Sequence, residues 1–304
     1  TPDTLVVDEK IEDGPENATG SYSGEITLRQ AVAASKNTIA WKLYEELTPQ
    51  VGISYLKTMG FSHIEKDDYG MAACLGGLTV GVSPLEMAKA YATIYNDGYM
   101  RNPTCITKIT DAKGNVIYEP VEEQIEVYKE KSARTMTDML QSVVTDGTAK
   151  GIDLGEMPVA GKTGTTNSNR DGWFVGYTSY YTTSVWVGYD IPKKVPGLTG
   201  SSYPAKIWNE FNLQLHEGLT PVPFKKPVEF IGTQEQQDEI EFPEEYEDGE
   251  EPFGVFDEEN PEGEEQQEPQ QTYRIITETF EGTEIPEGAI PENATDIEIT
   301  TVTE

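Results

Sequence analysis

The sequence predicts an α+β fold, in which a mainly helical segment is followed by an antiparallel sheet with a terminal helix against it. Three observations support this fold class. Helix-start signals recur in the first half of the chain, three strand-like runs follow at 158–165, 172–179 and 182–190, and residues 205–215 carry apolar side chains at helical spacing. Short connections join the three runs, which fits antiparallel hairpins.

The first helix signal is a capping box over residues 27–30, in which a Thr hydroxyl and a Gln side chain close the first turn. This helix should run through Ala34, where the polar triplet Ser35-Lys36-Asn37 interrupts it. Asn37 is a good N-cap for a second helix over 38–47. The triplet therefore lies at a junction where polar side chains can point into a cleft, although capping alone would also explain Asn37.

Further helices and one hairpin are expected before the sheet. A helix over 49–59 ends at Gly60, and an N-cap Ser followed by Pro and Glu begins a helix over 84–97. Residues 104–119 read as a hairpin, and a helix over 132–146 follows it.

The sheet and the terminal helix are predicted from two different spacings of apolar residues. In the last strand-like run, Val185, Val187 and Tyr189 occupy alternate positions, and the two tyrosines before it supply a turn. In the helix over 205–215 the apolar residues fall at helical spacing, so one face should pack on the sheet. These residues are Ile207, Trp208, Phe211 and Leu215.

Charge divides the chain into two parts. Residues 229–304 contain 26 acidic residues against one Arg, a net charge of −25, whereas residues 1–228 have a net charge of −7. We therefore predict a globular domain over 1–224 and an acidic, Pro-, Glu- and Gln-rich tail over 225–304. Such a composition buries too little apolar surface to offset chain entropy, so disorder is expected there, with only the β-prone patch 272–280 standing out as an isolated exception.

Composition also excludes several classes of function. No apolar stretch is long enough to span a membrane, residues 1–20 do not resemble a signal peptide, and the chain reads as if it begins within a longer protein. Two His residues and two cysteines, Cys74 and Cys105, show no metal-ligand spacing, so neither a metal site nor a cofactor is predicted. The cysteines are expected to be unpaired, although one disulfide stays open. Basic patches for nucleic acid and phosphate-binding glycine loops are absent.

The first of the three strand-like runs carries unusual side chains for a strand. Lys162 supplies a point charge, Thr163 and Thr165 share one face, and Gly164 between them removes a side chain. A glycine in a strand often marks the close approach of another backbone. The set suits a groove that holds a peptide ending in a carboxylate, although a chance Lys-Thr-Gly on a surface strand would be the simpler explanation of the tripeptide alone.

The neighbouring motifs favour the groove. Serine β-lactamases and penicillin-binding proteins carry three elements, S-x-x-K, S-x-N and K-T-G. Ser35-Lys36-Asn37 matches the second element and Lys162-Thr163-Gly164 the third. Further runs resemble those of class A penicillin-binding proteins: LGGLTVGVSPLEMA at 75–88, MTDMLQSVV at 136–144, DGWFVGYT at 171–178 and PAKIW at 204–208. Over roughly residues 1–217 the chain thus resembles this family.

The resemblance implies a partial penicillin-binding and serine β-lactamase-like transpeptidase fold. It implies a D,D-transpeptidase that cross-links peptidoglycan on the extracytoplasmic face of a bacterial membrane. In that family a serine attacks a stem peptide ending in D-Ala-D-Ala and forms an acyl-enzyme, which an amine of a second stem peptide resolves. β-Lactam antibiotics acylate the same serine. Any membrane attachment would come through an N-terminal anchor that this chain does not contain.

The resemblance also implies roles for individual residues. Ser35 and Lys162 would belong to the proton relay beside the nucleophile, and Asn37 would hydrogen-bond the substrate backbone. The hydroxyls of Thr163 and Thr165, with the Lys162 charge, would hold the terminal carboxylate.

Two backbone features complete the implied site. The N–H of Thr165 would be one of two oxyanion-hole donors. Gly164 would leave room for the peptide to lie along the strand.

One element departs from the family pattern. The S-x-x-K serine is expected before residue 1, so the chain alone should not form an acyl-enzyme. Ser54-Tyr55-Leu56-Lys57 matches the pattern in letters, but it follows the S-x-N element and Ser54 falls on the polar side of its helix. Two alternatives stay open: a nucleophile-less module for partner binding or β-lactam sensing, and a relative of β-lactamases or carboxypeptidases.

Overall fold

The computed structural model describes residues 1–121 and 123–227, with two short strands further along the chain. The chain divides into two compact units. One comprises Thr1–Pro103 and Glu122–Glu229, and the other comprises Thr104–Val121 and Phe230–Glu304.

The strands of the described residues are β1 (Leu5–Asp8), β2 (Gly24–Thr27), β3 (Tyr99–Arg101), β4 (Ile109–Thr110), β5 (Val116–Tyr118), β6 (Gln124–Glu126), β7 (Ala160–Thr165), β8 (Gly172–Tyr177), β9 (Thr182–Val187), β10 (Tyr273–Thr277) and β11 (Ile297–Thr301). The α-helices are α1 (Leu28–Ala33), α2 (Asn37–Leu47), α3 (Pro49–Thr58), α4 (Pro84–Tyr95), α5 (Glu130–Thr145) and α6 (Tyr203–Leu215). Short 3₁₀ helices lie at Lys66–Tyr69, Met71–Leu75 and Asn167–Asn169.

The central sheet of the first unit has the order β7-β8-β9 and is antiparallel throughout. In its register Gly164 lies opposite Trp173, and Trp173 lies opposite Trp186. The three predicted strands are confirmed, with ends a few residues shorter than the sequence runs. The hairpin between β8 and β9 turns over 178–181, where Thr178 N–H donates to the Tyr181 carbonyl over 3.0 Å.

Helix α6 packs on one face of this sheet, as its apolar spacing predicts. Trp208 is fully buried and meets Phe174 of β8 edge to face, with ring centroids 5.3 Å apart. Its indole N–H donates to the Thr183 carbonyl over 3.0 Å, so the buried polar atom is satisfied. The contact joins helix and sheet by both packing and a hydrogen bond.

Helices α4 and α5 cover the opposite side through Tyr177 of β8. The Tyr177 ring is buried beside Tyr91 and Tyr95 of α4, and its hydroxyl lies 2.9 Å from the Thr137 hydroxyl of α5. This layer fixes the position of α5, which in turn contacts α1 and β7.

The starts of α1 and α4 agree with the sequence signals, whereas α2, α5 and α6 begin one or two residues earlier than predicted. The capping boxes at Thr27 and Ser83 both form. The prediction that Asn37 caps α2 is wrong, because Lys36 occupies the N-cap position and Asn37 is the first helical residue. The β1–β2 and β3–β6 pairs were not predicted, since strands of three or four residues give little periodic signal.

Within the first unit, two residues that follow α6 contact earlier elements. Phe224 lies edge to face against Tyr95 and Tyr177, and the Lys225 ammonium pairs with Asp97. Asp97 also receives a two-point contact from Arg134, at 2.9 and 3.1 Å. The domain boundary between residues 224 and 225 stays a prediction.

The second unit contains the predicted hairpin, β4–β5, whose turn is closed by the Asp111 carboxylate accepting from Lys113 and Asn115. It also contains β10 and β11, which pair in parallel. The β-prone patch 272–280 is therefore not isolated, because residues 273–277 pair with β11. Apart from residues 225–227 and the two strands, the expected disordered tail lies outside the described residues.

Two further expectations concern the cysteines and membrane-spanning helices. Cys74 and Cys105 are unpaired, as expected. None of the helices in residues 1–121 and 123–227 is long and apolar enough to cross a membrane.

Candidate functional site

Ser35 is positioned by the way helix α1 ends. The Ser35 N–H donates to the Val32 carbonyl over 3.1 Å and the Lys36 N–H to the Ala31 carbonyl over 3.0 Å, which is the Schellman pattern. Ser35 has φ +54°, the left-handed conformation that usually requires glycine at this place. Backbone strain of this kind is kept where a side chain is needed. The helix end thus directs a serine hydroxyl into the junction between α1 and α2.

The next residue is held by a buried ion pair. The Lys36 ammonium lies 2.7 Å from the Asp8 carboxylate at the end of β1, and Asp8 is 1% exposed. The same carboxylate accepts from the Thr38 hydroxyl at 2.6 Å and from the Ser23 N–H at 2.8 Å. Burial by itself would raise the pKa of Asp8, but these contacts outweigh it and hold that pKa well below its usual range. The junction is therefore tied to β1 on its inner side.

Helix α2 is capped by a residue remote in sequence. The Asn17 side chain, 5% exposed, accepts from the Thr38 N–H at 3.4 Å and donates to Asp8 at 2.7 Å. The Asp8 carboxylate beside the first turn also complements the helix dipole. Asn37 itself points elsewhere, since its amide donates to the Glu16 carbonyl over 2.8 Å.

The strand β7 meets this junction through Lys162. The Lys162 ammonium donates to the Ser35 hydroxyl over 2.6 Å and to the Thr163 carbonyl over 3.0 Å. Ser35 and Lys162 are 127 positions apart in the chain, so only the tertiary fold can bring them together. The S-x-N junction and the K-T-G strand, which were expected to belong to one site, are thus in direct contact.

The electrostatic state of Lys162 differs from that of an exposed lysine. Burial lowers its pKa from 10.5 to about 8. At neutral to mildly alkaline pH the side chain can therefore exist in both protonation states, which suits a group that accepts and returns a proton.

The two threonines of β7 each have a defined partner. Thr163 Oγ1 lies 2.6 Å from Thr148 Oγ1, and Thr165 Oγ1 accepts from the Gly200 N–H over 2.9 Å. A hydroxyl that accepts from the protein keeps its own proton for another acceptor. Thr165 is exposed at the end of β7, whereas Thr163 is half-buried.

Gly164 lies where two backbones approach. A Cβ on Gly164 would sit 3.2 Å from Trp173 Cβ, and a Cβ on Gly200 would sit 2.6 Å from the Gly164 carbonyl oxygen. The loop before α6 therefore packs on the Gly164 backbone, and the missing side chain of Gly200 allows this approach, because a Cβ on Gly164 would face Trp173 instead. The expectation that Gly164 leaves room for a bound peptide stays a prediction.

The alternative Ser-x-x-Lys is used within its own helix. The Ser54 hydroxyl donates to the Val51 carbonyl over 2.7 Å, and the Lys57 ammonium lies 5.4 Å from the centre of the Tyr69 ring. Neither side chain pairs with the other, which supports the rejection of this match as a catalytic element.

Three residues of the site were missed by sequence reasoning: Asp8, Asn17 and Thr148. A carboxylate directly after the apolar run Leu5-Val6-Val7 was the one available signal for Asp8. Nothing in the local sequence indicates that Asn17 or Thr148 reaches the junction or the strand.

Fold and site together define a class of protein. The S-x-N and K-T-G elements, in direct contact here on an α+β domain, are two of the three motif elements of serine β-lactamases and penicillin-binding proteins. A family model described as the penicillin binding protein transpeptidase domain matches residues 2–212. The chain therefore belongs to this family, and its relatives place it with the class A transpeptidase domains.

Two similar proteins come from Bacillus subtilis. Penicillin-binding protein 1F is 39% identical over 221 residues, which cover 70% of this chain and 30% of the relative. Penicillin-binding protein 4 is 37% identical over 194 residues, covering 64% of this chain and 31% of the relative. The chain thus spans less than a third of the length of these relatives.

Solved structures show the same fold. The PonA1 protein from Mycobacterium tuberculosis in complex with penicillin V has a TM-score of 0.61 and 25% identity, covering 70% of this chain and 62% of that one. Penicillin-binding protein 1A from Haemophilus influenzae has a TM-score of 0.62 and 23% identity, covering 75% of this chain and 40% of that one. The predicted fold class is confirmed.

Proposed function

We propose that this chain is part of a D,D-transpeptidase that cross-links peptidoglycan stem peptides through a serine acyl-enzyme. The observation that carries the proposal is the contact between Lys162 Nζ and Ser35 Oγ at 2.6 Å. It brings the two polar walls of the site, the S-x-N junction and the K-T-G strand, into direct contact. The nucleophile would form the remaining side. Family membership supports the transpeptidase class.

The proposed reaction has two acyl transfers. The serine gives up its hydroxyl proton as its oxygen forms an ester bond to the carbonyl carbon of the penultimate D-Ala. The C–N bond to the terminal D-Ala breaks, and the departing amine takes up a proton. The amine of a second stem peptide then attacks the ester, forms the new amide and returns the serine to its hydroxyl form. Protons thus move onto one nitrogen and off another.

Ser35 and Lys162 are suited to move these protons. Lys162 donates to the Ser35 oxygen, so the Ser35 proton is free to point at a departing or attacking nitrogen. With its pKa near 8, Lys162 can replace that proton and later recover it at a pH close to neutral. Asn37, adjacent to this pair, would contact the substrate backbone once its amide leaves the Glu16 carbonyl.

The strand residues are suited to the carboxylate end of the donor peptide. The Lys162 ammonium and the hydroxyls of Thr163 and Thr165 offer one positive charge and two hydrogen-bond donors to a carboxylate along one strand. Gly164 places no side chain between them, which would leave room for the peptide. The Thr165 N–H is assigned to the oxyanion hole. β-Lactams, which carry a carboxylate beside a reactive amide, would occupy the same place.

The proposal assigns the nucleophile to a Ser-x-x-Lys element that would lie N-terminal to the S-x-N element in a longer protein containing this chain, which is called the parent protein below. The family order of motifs supports this, as does the hydrogen bond of Ser54 to its own helix. The proposed place of action is the extracytoplasmic face of a bacterial membrane, where stem peptides are found. No nucleic acid and no cofactor enter the proposal.

Covalent labelling tests the proposal. The parent protein, expressed from its complete reading frame, is incubated with a fluorescent penicillin and run on a denaturing gel. We expect a labelled band that is lost when the serine of the upstream Ser-x-x-Lys is changed to Ala and is retained in Ser54→Ala. The 304-residue chain alone should remain unlabelled.

Other results would contradict this assignment. A band on the 304-residue chain that disappears in Ser54→Ala would make Ser54 the nucleophile. Reversible penicillin binding by the parent without any covalent band would favour the nucleophile-less sensing module.

A further inference from the structure

We propose that Thr148 is a positioning residue that sets the direction of the Thr163 hydroxyl and holds the two walls of the site at a fixed distance. The proposal rests on the function proposed above, since it concerns how the K-T-G strand receives a carboxylate. Thr148 lies outside the three family elements and follows the end of α5 by three residues.

Thr148 contacts both walls at once. Its N–H donates to the Ala33 carbonyl over 3.1 Å, two residues before Ser35. Its hydroxyl lies 2.6 Å from the Thr163 hydroxyl, at the short end of the range for O–H···O hydrogen bonds. One residue therefore connects the end of α1 with strand β7.

The turn that carries Thr148 leaves it little freedom. A Cβ on Gly147 would fall 2.3 Å from the Ala33 carbonyl oxygen, so only glycine allows the turn to lie this close to α1. On the other side, the Ala149 N–H donates to the Val143 carbonyl over 3.0 Å, and Ala149 is 1% exposed. Thr148 is thus held between a close backbone contact and a buried anchor.

The direction of the hydrogen bond follows from counting protons. Each threonine hydroxyl has one proton, and the pair at 2.6 Å uses one of the two. For Thr163 to donate to a bound carboxylate, Thr148 must be the donor within the pair. The Thr165 hydroxyl is oriented in the same sense, because it accepts from the Gly200 N–H and keeps its own proton. Thr163 and Thr165 would therefore both donate to a bound carboxylate, because Thr148 and the Gly200 N–H donate to their oxygens.

The test measures the rate at which variants of the parent protein are acylated by two compounds. One is a penicillin with a free carboxylate, and the other is its methyl ester. Thr148→Val keeps the shape and removes the hydroxyl, so we expect acylation by the free acid to fall about tenfold, as for the loss of one oriented hydrogen bond. The rate with the ester, which lacks the anion, should change less than twofold. Thr148→Ser should retain the rate with the free acid.

A matched control is Thr145→Val, because Thr145 lies on the same segment and its hydroxyl donates to Asp146 rather than to the strand. It should leave both rates unchanged. Equal loss of rate with acid and ester in Thr148→Val, or no loss with either, would overturn the positioning role while leaving the proposed function intact. A wild-type protein that is not acylated, or that does not prefer the free acid, would overturn the proposed function and this inference with it.

Discussion

Asp8→Ala is expected to lower the free energy of unfolding of the chain by about 3–5 kcal/mol, because it leaves the buried Lys36 ammonium without its counter-ion. The side chains of Asp8 and Lys36 are 0% and 10% exposed, and their atoms lie 2.7 Å apart. The variant also removes the acceptor for the Thr38 hydroxyl and the Ser23 N–H. Urea denaturation followed by circular dichroism measures the change.

Glu9→Ala is the matched control for this prediction. Glu9 is the next residue along the chain and pairs with Lys42 at 2.8 Å, but its side chain is 62% exposed. Exposed pairs of this kind contribute about 0–1 kcal/mol. A loss in Asp8→Ala no larger than that in Glu9→Ala would contradict the assigned role of the Asp8 network.

The same carboxylate gives a pH dependence of known sign. The pKa of Asp8 is lowered in the folded state, so its contribution to stability is complete above the unfolded value of about 3.9 and is lost as the pH falls below it. Asp8→Asn should therefore flatten the decline of stability below about pH 4. If the free energy of unfolding of Asp8→Asn declined below pH 4 as steeply as that of the wild type, a lowered pKa at Asp8 would be contradicted.

Lys162→Met is expected to produce opposite effects on activity and stability. Acylation of the parent protein by penicillin should fall by about 10²–10⁴-fold, the usual contribution of a positioned proton-transfer group. The free energy of unfolding at pH 7 should rise by about 1 kcal/mol, because a shift in pKa from 10.5 to about 8 means that burial of the charged form is costly. The gain is limited by the loss of two hydrogen bonds.

The sign of the pH dependence follows from the same shift. Between about pH 8 and 10.5 the unfolded chain binds more protons at Lys162 than the folded chain, so this group makes the folded state more stable as the pH rises through that interval. Lys162→Met should lack this rise. The control is Lys206→Met on the exposed side of α6, which should alter neither acylation nor stability by a measurable amount. A Lys162 variant that is slower only because it is less stable would contradict the proton-transfer role.

Much of the fold could be predicted because its signals are local. The capping boxes at Thr27 and Ser83 and the period of the three sheet strands are each contained within a few residues. The same holds for the Lys-Thr-Gly strand, whose side chains are unusual enough to mark a site. Local propensity failed at Asn37, since Asn is a favoured N-cap but the Schellman turn of α1 places Lys36 there.

The remaining parts of the site depend on distant contacts. Asp8 and Asn17 reach Thr38 across 30 and 21 positions, and Thr148 reaches Thr163 across 15. No period or motif encodes such distances. The contact between Ser35 and Lys162 was predictable only as an expectation of the family resemblance, and its short distance required the structure.

The most direct test of the central claim is a double-mutant cycle on Ser35 and Lys162 in the parent protein. The rate of acylation by penicillin is measured for the wild type, Ser35→Ala, Lys162→Met and the double variant, with the stability of each recorded alongside. If the two side chains act as one proton relay, the double variant should be no more than about twofold slower than the slower single variant. Losses that multiply, so that each residue reduces the rate equally with or without the other, would contradict the relay.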